Sequence, residues 1–156
     1  MMIQSCLILL ALALGSQGSV APSPVTPAGC LADLDKQRLS TGAGIEKRIK
    51  ICKEISDRFN KAVTQAEKKE MTEEVWALLA CWRDHLAASL KDIETNINRK
   101  KRSGALKDFE IQLRKSIRDM EDSRLKVPDQ GSSHYAAWLD QANAVRKKFV
   151  EMLFLR

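Results

Sequence analysis

The feature that most constrains the fold is a long stretch without proline. No proline occurs between Ala28 and Val127, and the stretch is rich in Ala, Leu, Lys, Glu and Arg. Proline fixes φ and removes a backbone donor, so a chain that avoids it over this length can form long helices. The sequence contains neither an alternating β pattern nor a glycine-rich phosphate loop. We therefore predict an all-α protein.

Apolar residues recur at intervals of three and four in four segments, which is the spacing of a packed helix face. The segments span residues 45–66, 75–93, 106–120 and 135–152. Acidic residues four positions before basic ones, such as Glu46 before Lys50, indicate that the opposite faces are solvated. Short connections favour antiparallel neighbours, which predicts an up-down-up-down four-helix bundle. The alternative is an extended antiparallel hairpin or coiled coil, in which the second and third segments fuse into one rod.

Residues typical of helix ends lie between these segments. Thr72 can cap the second helix, and RSG at residues 102–104 can separate the second helix from the third. The sequence KVPDQGSSH at residues 126–134 is predicted to be a turn. The sequence LADLDKQRL at residues 31–39 predicts one or two additional helical turns, after which two glycines loosen the chain.

The first 29 residues have the composition of an export signal followed by a linker, since none of them is charged. The apolar run LILLALALG at residues 7–15 is too short to span a bilayer, and small residues follow it. Three prolines then predict an extended segment. We predict a secreted or periplasmic protein with a signal peptide at residues 1–18, a Pro/Ser-rich linker at 19–29 and a single helical domain at 30–156.

Cysteine usage leaves the redox state open. Cys30, Cys52 and Cys81 follow the predicted signal peptide, and this odd number allows either one disulfide with a free thiol or three free thiols. Cys52 and Cys81 are predicted to lie at different heights along the bundle, which disfavours a bridge between them. A lipid anchor at Cys30 is disfavoured, because the apolar run ends far before it.

One short sequence, ACWRDH at residues 80–85, suggests a metal site. Cys81 and His85 stand four residues apart and so share one side of the second helix. Cys52 on the first helix is predicted to reach the height of His85. Together these three side chains could bind zinc or copper, and we predict no other cofactor. The competing interpretation is a boundary cysteine and a surface histidine, because both residues lie beside the apolar stripe that contains Trp82.

The chain carries a formal net charge of +6, and its longest run of one sign is Arg99, Lys100, Lys101 and Arg102. At a hairpin tip these cations would form a compact patch that can bind an anionic envelope surface. The alternative is a solubilising helix end. In an animal protein the same residues would also have the form of a secretory convertase site. Nucleic acid is not an expected partner, because no aromatic residue lies among the cations to stack on bases.

The C-terminal sequence KKFVEMLFLR at residues 147–156 is unusually apolar. Phe154 and Leu155 exceed what one helix face needs, so we expect them either to cap the bundle or to contact another protomer or a membrane surface peripherally. The oligomeric state is left open.

No catalytic triad, paired acid motif or haem-attachment motif is visible, so we do not predict an enzyme. We predict an exported, non-catalytic helical protein that binds a protein or an envelope component. The alternatives are a helical bundle that binds a metal or a small ligand, and a secreted helical signalling factor.

Overall fold

The structure is a computed structural model, and it describes residues 30–154. Its helices are α1 (Asp33–Thr41), α2 (Ile45–Lys68), α3 (Thr72–Asn96), α4 (Gly104–Arg124) and α5 (Asp129–Phe154). This part of the chain contains no strand, which confirms the predicted all-α class. The predicted signal peptide and linker lie outside the described residues.

Helices α2 to α5 surround one core in the order α2, α3, α5, α4. Arg48 near the start of α2 pairs with Asp92 near the end of α3 at 2.9 Å, so these two helices are antiparallel. Arg146 late in α5 pairs with Glu110 early in α4, also at 2.9 Å, so this pair is antiparallel too. The predicted up-down-up-down bundle is confirmed.

Helices α3 and α4 lie diagonally across the bundle, and the connection at residues 97–103 carries the chain between them. The alternative in which they fuse into one rod is therefore wrong. We call the end of the bundle with this connection the loop end. The opposite end holds the α2–α3 turn at residues 69–71 and the α4–α5 turn at 125–128, and we call it the turn end.

The core is mainly aliphatic, with a few aromatic rings at its centre. Trp82 and Trp138 are fully buried, and their ring centroids lie 4.3 Å apart. Phe109 and Phe149 are also fully buried, with ring centroids 5.1 Å apart. The Nε1–H of Trp82 donates a 2.8 Å hydrogen bond to the hydroxyl of Ser56, which is itself fully buried. Burial of each large apolar side chain contributes about 1.5–3 kcal/mol, so this core supplies most of the stability.

The short helix α1 runs antiparallel to α2 along its outer side. Asp35 is almost fully buried and pairs with Arg58 at 2.6 Å, while Arg38 pairs with Glu54 at 2.6 Å. The chain reverses between the two helices at Gly44, whose φ of +79° is a conformation that favours glycine. Helix α1 corresponds to the additional helical turns that the sequence LADLDKQRL at residues 31–39 predicts.

Two helix ends differ from the sequence prediction. Thr72 lies inside the first turn of α3, and no side chain caps that helix, so its predicted capping role is wrong. Helix α5 begins at Asp129, directly after Pro128, so most of the predicted turn at residues 126–134 is helical. The predicted break at residues 102–104 is confirmed, because the hydroxyl of Ser103 accepts a 3.0 Å hydrogen bond from the Leu106 amide at the start of α4.

Candidate functional site

The sulfur of Cys81 forms a disulfide with Cys30, across 51 positions of sequence. This bond joins the segment that precedes α1 to the middle of α3, and it leaves Cys52 as the buried free thiol of the described residues. One disulfide with one free thiol is therefore the pattern that forms. Because a disulfide sulfur is not a thiolate ligand, Cys81 is not available to bind a metal.

His85 is a core residue with only 4% of its surface exposed, and Cys81 is only 2% exposed. The interpretation of the two as a surface histidine and a boundary cysteine is wrong, because Cys81 is bonded to Cys30 and His85 packs against Phe59 of α2. The Nε2–H of His85 donates a 3.0 Å hydrogen bond to the carbonyl oxygen of Cys52. Burial lowers the pKa of His85, and this outweighs the opposing effects of that carbonyl and of Asp35.

The predicted metal ligands Cys52, Cys81 and His85 do not come together as a ligand set. The heights of Cys52 and His85 were correctly predicted to match, but the contact uses the backbone carbonyl of Cys52 instead of its sulfur. Burial also raises the pKa of the Cys52 thiol, which disfavours the thiolate that zinc or copper requires. Within residues 30–154, no cluster of three or more His, Cys, Asp or Glu residues is arranged to hold a metal ion.

The four cations Arg99 to Arg102, which we call the basic loop, are all exposed at the loop end. The loop is shaped by Asn98, whose side-chain oxygen accepts from the Lys100 amide at 3.0 Å and whose carbonyl accepts from the Lys101 amide at 3.1 Å. Further exposed lysines lie on the neighbouring helix ends: Lys47, Lys50, Lys91, Lys107 and Lys147. Exposed acidic residues are fewer there: Glu46, Glu94 and Asp108.

The C-terminal part of α5 ends beside the basic loop, because α5 and α4 are antiparallel. Met152 and Leu153 are partly buried against the core, but Phe154 is not, so the expectation that Phe154 caps the bundle is wrong. Phe154 is 72% exposed and leaves an aromatic side chain in solvent at the loop end. Leu155 and Arg156 lie outside the described residues.

The turn end contains a feature that sequence analysis missed, a cleft of about 800 Å³ between the α2–α3 and α4–α5 turns. Its apolar lining comes from α3, α4, α5 and both turns: Met71, Val75, Trp76, Met120, Val127, Pro128 and Tyr135. Charged groups on its walls include Glu67 of α2 and Asp119 of α4. The one available signal was Trp76, an aromatic residue outside the apolar stripe of its helix.

No helix within residues 30–154 combines the length and the apolar character needed to cross a membrane. Comparison of the chain with protein-family models, with curated proteins and with solved structures finds no match. The class that the fold defines is an all-α helical bundle.

Proposed function

We propose that this is an exported, non-catalytic binding protein that docks its loop end on an anionic lipid surface. The observation that carries the proposal is that the basic loop and the exposed ring of Phe154 lie at the same end of the bundle. Proteins that bind at a membrane surface commonly combine these two features. Their cations are attracted to anionic headgroups, while an apolar side chain enters the region between the headgroups and the acyl chains.

The electrostatic part of the attraction is large enough to matter. A Lys or Arg near an anionic surface contributes about 1 kcal/mol, so the four residues of the basic loop together contribute about 4 kcal/mol. The neighbouring exposed lysines add to the positive electrostatic potential of this end of the bundle. The attraction weakens at high salt, because the Debye length is only about 8 Å at physiological ionic strength.

The disulfide between Cys30 and Cys81 supports export. Disulfides persist in secreted and periplasmic proteins and are rare where glutathione and thioredoxin keep thiols reduced. The uncharged, apolar start of the sequence supports the same location independently.

The test is cosedimentation of the protein with vesicles of phosphatidylcholine, with and without phosphatidylserine, at low and at high salt. The variant replaces all four residues of the basic loop by Gln. It is expected to lower the partition coefficient on anionic vesicles by about 10³-fold at low salt, which corresponds to the lost 4 kcal/mol. Phe154→Ser, made separately in the wild type, is expected to weaken binding and to leave its salt dependence unchanged.

The matched control removes four exposed cations from the turn-end half of the molecule, and these are Lys68, Lys69, Lys115 and Lys126. It has the same net charge as the basic-loop variant and should bind anionic vesicles nearly as well as the wild type. Equal losses in the two variants would show that only net charge matters and would reject docking by the loop end. Equal binding to neutral and anionic vesicles would reject the electrostatic basis. No binding to either would leave a protein partner as the better proposal.

A further inference from the structure

We propose that the cleft at the turn end binds an organic cation, an ammonium group attached to an apolar body. The cleft lies at the end of the bundle opposite the basic loop, so this inference does not depend on membrane docking. The cleft has the size of a ligand pocket, its more buried charged groups are acidic, and hydrogen bonding or stacking holds the side chains of Tyr135 and Trp76 in place.

The size of the cleft is suited to a small molecule. Its volume of about 800 Å³ falls within the range of about 300–1,000 Å³ that is usual for ligand pockets. The buried side chains of Val75, Met120 and Tyr135 contribute to its lining, which provides an apolar surface for the body of a ligand.

The charges of the cleft favour a cation. Glu67 and Asp119 are half-buried, whereas the two lysines of the lining, Lys68 and Lys126, are exposed. Exposed lysines can keep their ammonium groups in water, while partly buried carboxylates act on a ligand through a lower dielectric constant. Two more acidic residues, Glu70 and Asp122, lie on the exposed part of the walls. Four acidic residues therefore face two basic ones, and the two most buried charged groups, Glu67 and Asp119, are both acidic.

Tyr135 fixes the position of the Glu67 carboxylate. Its hydroxyl donates a 2.6 Å hydrogen bond to one oxygen of that carboxylate. Burial of the phenol raises the pKa of Tyr135, and the hydrogen bond to Glu67 raises it further, so the hydroxyl remains a donor. A carboxylate has two acceptor oxygens, and the second can accept from a ligand ammonium group without loss of the bond to Tyr135.

Trp76 supplies an aromatic surface of the kind that attracts cations. Its indole lines the cleft and stacks on the ring of His134, with centroids 4.5 Å apart and planes inclined by 11°. This stacking holds the indole in one orientation. Tryptophan is the aromatic residue that binds cations best through its ring face, and such aromatic sites commonly recognise quaternary ammonium groups.

The experiment titrates the full chain with benzyltrimethylammonium and, separately, with the neutral analogue benzyl alcohol, and follows amide shifts by NMR. For a probe of this size we expect a dissociation constant of about 1 mM for the cation. The shifted amides should lie at residues 64–76 and 119–135. Benzyl alcohol should bind at least tenfold more weakly.

The charge requirement is tested with isosteric variants. Glu67→Gln combined with Asp119→Asn should weaken cation binding about tenfold and leave the binding of benzyl alcohol unchanged. The matched control combines Glu73→Gln with Glu74→Gln, which removes the same charge from the same end of the bundle but outside the cleft. It should bind the cation like the wild type. Should the first variant fail to fold, Glu70→Gln with Asp122→Asn alters only exposed residues and should weaken binding about threefold.

Three results would each overturn the proposal. One is the absence of shifts around the cleft up to 10-fold above the expected dissociation constant of about 1 mM. Another is equal affinity for the cation and for benzyl alcohol, which would show a merely apolar cleft. The third is an equal loss of cation affinity in the control that alters Glu73 and Glu74, which would show a nonspecific effect of net charge.

Discussion

Three polar side chains are enclosed between α2 and α3, namely Ser56, His85 and Ser89. Ser56 accepts from the indole of Trp82, and His85 donates to the backbone of Cys52. A buried polar group that loses its partner costs about 1–3 kcal/mol. The apolar core provides stability, and these hydrogen bonds in addition favour a single register between α2 and α3.

The buried imidazole predicts that the protein becomes less stable in mild acid. The folded-state pKa of His85 lies below its ordinary value of 6.5, because burial disfavours the charged ring. The neutral ring therefore makes its full contribution to the free energy of unfolding above pH 6.5. This contribution is lost as the pH falls below that value toward the folded-state pKa. Urea unfolding at pH 7 and at pH 5 should show a lower midpoint at pH 5.

His85→Gln keeps a side-chain donor but removes the titrating group, so its midpoint should differ less between the two pH values. The matched control is His134→Gln, which replaces the only other histidine of the chain and should behave like the wild type. A wild-type midpoint that does not fall at pH 5, or a fall of equal size in His85→Gln, would contradict this role of His85.

Sequence analysis could predict part of this arrangement. Counting residues along two antiparallel helices correctly placed Cys52 opposite His85. A second stripe of residues at helical spacing, Leu78, Cys81, His85 and Ser89, was present in the sequence and indicates a second buried side of α3. It was missed because one stripe suffices in a simple bundle, whereas α3 here also packs beneath the segment that contains Cys30.

At the scale of elements, the disulfide is predicted to hold α1 and its preceding segment in place. A crosslink across 51 positions lowers the entropy of the unfolded chain and stabilises a protein by roughly 2–4 kcal/mol. The double variant Cys30→Ala, Cys81→Ala should therefore melt roughly 10 °C lower than the wild type in a thermal scan.

A reductant should lower the melting temperature of the wild type but not that of the double variant. Cys52→Ala should retain the response of the wild type, because Cys52 is a free thiol and takes no part in the Cys30–Cys81 bond. A wild-type melting temperature that is insensitive to full reduction of the Cys30–Cys81 bond would count against this account.

The starts of α3 and α4 give a second test at this scale. Ser103 caps α4 with its hydroxyl, whereas Thr72 caps nothing. Ser103→Ala should lower the free energy of unfolding by about 1 kcal/mol, and Thr72→Ala should change it by less than about 0.5 kcal/mol. Chemical denaturation of both variants measures the difference. Equal effects, or a larger effect of Thr72→Ala, would contradict the observed helix ends.

The start of α5 shows why helix ends are harder to predict than helices. Gly131, Ser132 and Ser133 are typical turn residues, yet they form part of the first turns of α5. Gly131 is buried beside the indole of Trp76, so a small residue fits there. This contact joins residues far apart in sequence, and no local pattern could indicate it. The cleft escaped prediction for the same reason, since its lining comes from α2, α3, α4 and α5.

At the scale of the whole molecule, the two ends of the bundle differ in charge. The loop end carries the basic loop, further lysines and the exposed ring of Phe154. The turn end carries a cleft whose deeper charged groups are acidic. If the loop end docks on an anionic surface, the same field orients the molecule so that the cleft points away from that surface and stays open to solvent.

The most direct test of this account is the orientation of the protein on a bilayer. Amide signals would be recorded on phosphatidylserine-containing nanodiscs that carry a gadolinium-chelating headgroup lipid, with a gadolinium-free sample as reference. Docking by the loop end predicts strong broadening at residues 97–103 and 150–154 and little at the turns 69–71 and 125–127. Broadening that is strongest at those turns, or equal at both ends, would contradict docking by the loop end.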